Sequence, residues 1–271
     1  METINSAGKG WKPRRDRRGI LPTPSALFPY QNWNGEQTSF NHGVGSTGVD
    51  LQGTVAEFPE HYSILVSGPP GVGKFEYFID LARLWLSRGE RVAFVTLDLS
   101  PKEIRERGQI LGLDAANTGQ PFLFIDCFSA QGAPPETQVR TLTVSSYSNL
   151  EGLSMAIQKA AQELGPPVRI LFYTISTLFL HNSPQAIAKF FQIVTSRVKT
   201  TMGFVAYAVH DGVHETTTMN LLRSLSDGVI ELRFTEQMGR EMRPHHLRGL
   251  KVDTQWRPIP ETNALVLTGV A

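Results

Sequence analysis

The chain has 271 residues, of which 41% are hydrophobic, and its 26 lysines and arginines nearly balance 25 aspartates and glutamates, giving a net charge of +1. This composition favours a globular protein with one large domain, and its bulk charge indicates no polyanionic partner. A single cysteine excludes an internal disulfide and suits a reducing cytoplasm. No apolar run approaches the roughly 20 residues that span a bilayer and no signal peptide opens the chain, so we expect a cytoplasmic protein without membrane contact.

Residues 1 to about 55 are predicted to form an extended, partly disordered arm. They are rich in Gly, Pro, Asn and Ser and show no sustained period of 2 or 3.6. Between Lys9 and Arg18 the arm is strongly basic, with Asp16 as the one acidic residue. A solvated tail is the simpler interpretation of this segment, and contact with DNA or an acidic partner is the alternative.

From residue 56 to 271, strand and helix patterns alternate, which predicts one α/β domain. The strand candidates are Tyr62–Ser67, Arg91–Leu97, Phe122–Asp126, Val168–Thr174, Phe204–Val209 and Gly228–Arg233. The helical patterns are Gly73–Ser87, Pro101–Leu111, Leu150–Leu164, Pro184–Lys199 and Thr217–Leu225. Several strands are nearly continuous apolar runs, as in parallel strands covered on both faces. We therefore expect a doubly wound, mostly parallel sheet with helices on both faces and right-handed crossovers.

A glycine-rich loop between the first strand and the first helix is the main functional signal. It fits G-x-x-x-x-G-K-[ST] at every position but the last, and its residues are Gly68, Pro69, Pro70, Gly71, Val72, Gly73, Lys74 and Phe75. Glycines let successive backbone N–H groups face one anion, the helix N-terminus adds its positive end, and the lysine reaches the terminal phosphates. The sequence therefore predicts a nucleotide phosphate site at the carboxyl ends of the strands.

Phe75 stands where this motif has the Ser or Thr hydroxyl that holds Mg²⁺. It also lies at helical spacing with a row of apolar residues, namely Phe78, Ile79, Ala82, Trp85 and Leu86. Phe75 could therefore simply open a stripe of core residues. The sequence leaves open whether its ring turns into the core or fills the place of the metal. In either case one metal ligand is missing.

Other polar residues carry weaker signals. His210, Asp211, His214 and Glu215 follow an apolar strand, where a metal site is conceivable. Loop histidines held by hydrogen bonds are the simpler interpretation of this group. Asp227 is expected to open a strand rather than to take part in chemistry.

Several short segments, taken together in their order along the chain, form a recognisable pattern. They are residues 68–74, 95–101, 124–129, 148–150, 176–178, 190–192, 226–232, 247–249 and 253–256. With this order and spacing the chain resembles the RecA/KaiC-like P-loop ATPases, most closely the single-domain KaiC/RAD55-like proteins of archaea. The resemblance covers roughly residues 57 to 262 and leaves out the arm. It implies a RecA-type core that binds ATP, often in rings or filaments with ATP between neighbouring subunits.

The chain departs from that family at the positions that handle metal and phosphate. Tyr173, followed by Thr174, stands where the family has the Walker B aspartate that holds the metal's water shell. Asp98 remains as a carboxylate that could polarise the attacking water. Near the C-terminus, Arg248 keeps the arginine with which the family reaches a neighbour's phosphates, whereas His246 replaces the lysine.

Phe75 and Tyr173 together remove both protein ligands of Mg²⁺, on which phosphoryl transfer depends. A phenol is neutral at pH 7 and substitutes poorly for a carboxylate. The first hypothesis is therefore a pseudo-ATPase that binds ATP weakly or not at all, holds Mg²⁺ poorly, and acts in signalling, regulation or assembly through a protein partner or self-association. The alternatives are an active Mg²⁺-dependent ATPase that relies on Asp98, and a DNA-binding recombination accessory that uses the basic arm.

Overall fold

The computed structural model describes residues 58–114, 121–129, 132 and 140–259. The arm predicted for residues 1–55 lies outside the described residues, so its disorder and its contact with DNA stay predictions. No helix in the described part of the chain is long and apolar enough to cross a membrane.

Within the described residues, nine strands form a sheet in the order β4-β3-β2-β5-β6-β1-β7-β8-β9. The strands are β1 (Ser63–Gly68), β2 (Arg91–Thr96), β3 (Phe122–Asp126), β4 (Thr141–Thr143), β5 (Val168–Tyr173), β6 (Gly203–His210), β7 (Gly228–Phe234), β8 (Arg240–Leu247) and β9 (Arg257–Pro258). The helices are α1 (Lys74–Ser87), α2 (Pro101–Ile110), α3 (Leu150–Leu164), α4 (Ile175–Leu178), α5 (Pro184–Arg197) and α6 (Thr216–Leu225). A π-helical segment, Val198–Met202, continues α5.

The pairings from β4 through β7 are parallel, and β8 and β9 add to the sheet in antiparallel fashion. The predicted mostly parallel α/β sheet is therefore confirmed. Each predicted strand and helix is present, with ends that differ by at most two residues. The sequence missed β4, α4, β8 and β9.

Two apolar clusters cover the two faces of the sheet. Along β1, Ile64 and Val66 belong to the cluster that contains α1 and α2, whereas Leu65 belongs to the cluster that contains α3, α5 and α6. This alternation follows the two-residue period of a strand and places helices on both faces. Helix α5 begins as expected, since the Ser183 hydroxyl accepts a hydrogen bond from the Ala186 N–H and Pro184 occupies its first turn.

Strand β8 escaped prediction because its residues are mostly polar and include Pro244, which cannot donate to a strand ladder. Pro244 pairs with Ile230 at an irregularity in the register between β7 and β8. Met242 and Leu247 are buried and continue the apolar face. Burial of its apolar side chains stabilises this strand, and the irregular register accommodates Pro244.

The sheet order determines which residues meet at its two ends. Strand β6 lies between β1 and β5, so the loop after β1 shares one end of the sheet with Tyr173 and His210, the last residues of β5 and β6. Asp227 directly precedes β7 and lies at the opposite end, beside the first residue of β1.

Candidate functional site

The loop after β1 has a shape that requires its glycines. Gly71 and Gly73 have φ angles of 79° and 109°, in the region that L side chains rarely adopt. At Gly68 a Cβ would lie 2.7 Å from the Leu232 carbonyl oxygen on β7. Any side chain at position 68 would therefore push β1 and β7 apart.

Lys74 is folded back onto this loop. Its side chain is buried, and Nζ donates hydrogen bonds to the Gly68 oxygen at 2.6 Å and the Pro69 oxygen at 2.7 Å. Burial lowers the pKa of Lys74 to about 8, against the opposing effect of nearby carboxylates such as Asp211 and Asp98. The ammonium group can reach a bound phosphate by exchanging carbonyl oxygens for phosphate oxygens.

Phe75 and Tyr173 contact each other. Their ring centroids are 5.6 Å apart in an edge-to-face arrangement, and Phe78 and Phe94 lie 5.9 Å and 6.5 Å from the Tyr173 ring. Phe75 belongs to the apolar cluster that contains α1, against which Tyr173 packs. The ring of Phe75 therefore turns into the core and meets Tyr173 there. Burial raises the pKa of Tyr173 above its usual value, which keeps the phenol neutral.

Asp98 follows β2 and is held by hydroxyl groups. Its Oδ2 accepts a hydrogen bond from Thr174 Oγ1 at 3.0 Å, and its Oδ1 accepts one from Thr177 Oγ1. The His210 Nε2 atom lies 3.6 Å from Oδ2. Thr174 and Thr177 thus orient the carboxylate that was predicted as a candidate for polarising water.

The loop after β6 is held by hydrogen bonds to Ser176. The Ser176 hydroxyl accepts a hydrogen bond from the backbone N–H of His210 at 2.9 Å. The same hydroxyl lies 2.8 Å from the ring atom Nε2 of His214. The His214 ring also packs on Phe179, with centroids 4.5 Å apart. Burial lowers the pKa of His214, helped by the charge of His210, which favours the neutral ring as a hydrogen-bonding partner. Among the described residues, no three His, Cys, Asp or Glu side chains converge in a metal-binding arrangement.

Arg248 lies at the other end of the sheet from the loop in its own chain. Its Nη1 donates to Asp227 Oδ1 at 3.0 Å. Asp227 also accepts hydrogen bonds from the Ser63 N–H and hydroxyl, at 3.0 Å and 2.9 Å, and from Lys199 Nζ at 2.6 Å. A phosphate contact by Arg248 would therefore have to be made to a neighbouring subunit, as the family resemblance implies.

Arg240 lies beside the loop after β1, and the sequence analysis did not predict it there. It opens β8, and a Cβ on Gly73 would lie 3.1 Å from its Nη1 atom. The Ser176–His214 pair was also missed, because it joins segments that only the sheet order brings together. Prediction of β8 would have placed Arg240 near the loop, but Pro244 argues against a strand in this segment.

The family DUF7504, described as a family of unknown function, matches residues 63–232. The chain belongs to this family. The match runs from β1 into β7, so the shared part of the DUF7504 protein includes the loop, Asp98 and Tyr173 but neither Arg240 nor Arg248.

The DUF7504 protein is also similar to two archaeal proteins. It is 28% identical over 153 residues to a UPF0273 protein of Pyrobaculum aerophilum and, over the same length and at the same identity, to a UPF0273 protein of Saccharolobus solfataricus. The aligned part is 56% of this chain and 53% of each relative. The chain thus spans about half the length of the curated relatives it matches.

Proposed function

We propose that this DUF7504 protein is a RecA/KaiC-like P-loop pseudo-ATPase, which receives a nucleoside triphosphate at residues 68–75, does not hydrolyse it, and acts through protein contacts. The observation that carries the proposal is the contact between Phe75 and Tyr173. Their positions correspond to the two protein ligands that orient Mg²⁺ in the family the chain resembles. In this protein aromatic rings occupy both.

The chemistry of magnesium supports this proposal. Mg²⁺ takes oxygen ligands in near-octahedral geometry and gives up its waters reluctantly. An edge-to-face pair of rings offers it no oxygen from Phe75 and only a neutral phenol from Tyr173. Phosphoryl transfer relies on metal ions to bridge the β and γ phosphates. A triphosphate at this loop would lack that assistance.

Asp98 has a structural part in this arrangement. Both of its carboxylate oxygens accept hydrogen bonds, from Thr174 and from Thr177. Each oxygen keeps a further lone pair, so these two bonds orient the carboxylate without using up its capacity to accept. The side chain is thus used to tie the end of β2 to the segment after β5.

Exposed apolar side chains beside the loop end of the sheet support a role through protein contacts. Leu180 is 80% exposed and Val213 is 57% exposed. The segments that carry them meet where the rings of Phe179 and His214 contact each other, with an interplanar angle of 42°. We propose that these two side chains form part of the surface through which the protein contacts a partner.

Incubation with Mg-ATP should yield no phosphate release from the wild-type protein beyond that of Lys74→Ala, because the metal lacks its protein ligands. Release of inorganic phosphate by the purified 271-residue chain is the measurement, with Lys189→Ala as a control that removes an exposed lysine. Wild-type turnover that persists in Lys189→Ala and disappears in Lys74→Ala would overturn the proposal and favour an active ATPase.

The affinity for ATP should fall roughly fivefold between pH 8 and pH 9. The pKa of Lys74 is lowered to about 8, so the side chain loses its charge, and its attraction for phosphate, as the pH rises through that value. Calorimetric titration of ATP across this range measures the effect. The Lys74→Arg variant stays charged and should give a flat profile. A flat wild-type profile, or an equal slope in Lys74→Arg, would contradict the assignment to Lys74.

A further inference from the structure

Arg240 places a guanidinium group against the last glycine of the loop. A Cβ on Gly73 would lie 3.1 Å from Arg240 Nη1 and 3.8 Å from Cζ, so the absence of a side chain at position 73 makes room for this approach. Gly73 is the N-cap of α1, immediately before Lys74. Two cationic side chains therefore lie beside the positive end of one helix.

Arg240 has no carboxylate partner within the described residues. Its arginine neighbours on β7 and β8 do form ion pairs, namely Arg233 with Glu241 at 2.9 Å and Arg243 with Glu231 at 2.8 Å. An unpaired guanidinium beside a lysine and a helix N-terminus is electrostatically unfavourable until an anion joins it. The unmatched positive charge thus points to an anionic ligand at the loop.

We infer that Arg240, together with Lys74, binds the phosphate chain of the nucleotide and takes over the charge neutralisation that Mg²⁺ would otherwise supply. The inference rests on the proposed function, since it concerns the same site. It names the ligand as a nucleoside triphosphate free of metal.

The chemistry of arginine suits this role. A guanidinium is permanently charged and presents a planar fork of five N–H donors that matches phosphate oxygens. Lys74 must first leave the Gly68 and Pro69 carbonyl oxygens, whereas no hydrogen bond or ion pair to the rest of the described chain holds the Arg240 guanidinium back. Phe75 and Tyr173 provide no charged ligand for Mg²⁺ at this loop, whereas Arg240 on β8 provides a positively charged guanidinium group there.

Titration of ATP by calorimetry into the full chain, once with EDTA and once with Mg²⁺, tests this inference. The wild-type protein should bind ATP in EDTA, and Mg²⁺ should not tighten the binding. Arg240→Gln should weaken ATP binding in EDTA roughly 10- to 100-fold, the range expected for a lost hydrogen-bonded contact to a charged group. Arg240→Lys should lose less, because it keeps the charge without the fork. Arg88→Gln, which removes an exposed arginine at the far end of α1, should bind as the wild type does.

The outcomes separate the inference from the proposed function. ATP binding that is lost in Lys74→Ala but unchanged in Arg240→Gln would overturn the inference alone, as would wild-type binding that requires Mg²⁺. Absence of ATP binding by the wild type in both buffers would overturn both. Thermal unfolding provides the control for folding, and Arg240→Lys serves in place of Arg240→Gln should the glutamine variant unfold.

Discussion

Replacement of Asp227 by alanine should lower the free energy of unfolding by about 3–5 kcal/mol, the range for removing one partner of a buried ion pair. Asp227 is 4% exposed and accepts hydrogen bonds from Ser63, Lys199 and Arg248. Its removal leaves the Ser63 N–H and the Lys199 ammonium group without their acceptor. The carboxylate joins the start of β1, the π-helical segment and the residue after β8, so these three segments should loosen together.

Urea unfolding with linear extrapolation measures this loss. Asp253→Ala is the matched control, because Asp253 also pairs with an arginine, Arg257, but on the surface. Exposed pairs contribute at most about 1 kcal/mol. A change of less than 1 kcal/mol in Asp227→Ala would show that Asp227 does not hold these segments together.

Tyr173→Asp should destabilise the protein by about 3–5 kcal/mol when made alone. The ring contacts Phe75, Phe78 and Phe94, and its loss leaves a cavity in which a carboxylate faces aromatic rings. Addition of Phe75→Ser supplies the hydroxyl that the loop motif expects and opens space for a hydrated metal. In this double variant Mg²⁺ should tighten ATP binding by roughly tenfold or more, because oxygens of the protein and of the phosphates would then bind the same metal ion.

Calorimetry with Mg²⁺ and with EDTA measures this gain. The control is the double variant Phe75→Leu with Tyr173→Phe, which keeps the site apolar and should remain insensitive to Mg²⁺. If the Phe75→Ser, Tyr173→Asp protein binds ATP equally well in both buffers, these two positions do not determine whether the loop holds Mg²⁺.

The elements of this fold that were predictable are those whose sequence carries a strong local period. The apolar runs of β1 and β2 and the capped start of α5 are encoded within a few residues. Strand β8 was not predictable, because its pairing with β7 depends on an irregular register around Pro244. Because Arg240 is the first residue of β8, its position beside the loop could not be predicted either.

The candidate site was predictable as a set of residues but not as a set of contacts. The loop motif identified Lys74 and Phe75, and the family resemblance identified Tyr173. Nothing local shows that Phe75 and Tyr173 meet, since 98 positions separate them and their contact depends on β6 lying between β1 and β5. The same holds for the hydrogen bond from Thr174 to Asp98, which needs β2 beside β5.

The contact between Phe75 and Tyr173 also constrains how this sequence can change over time. A polar residue at position 173 would face the Phe75 ring, which offers it no hydrogen bond, so this exchange is penalised as long as Phe75 is present. The cost of an exchange at one position therefore depends on the residue at the other. The aromatic contact thus couples positions 75 and 173, and we expect substitutions at these two positions to occur together in related sequences.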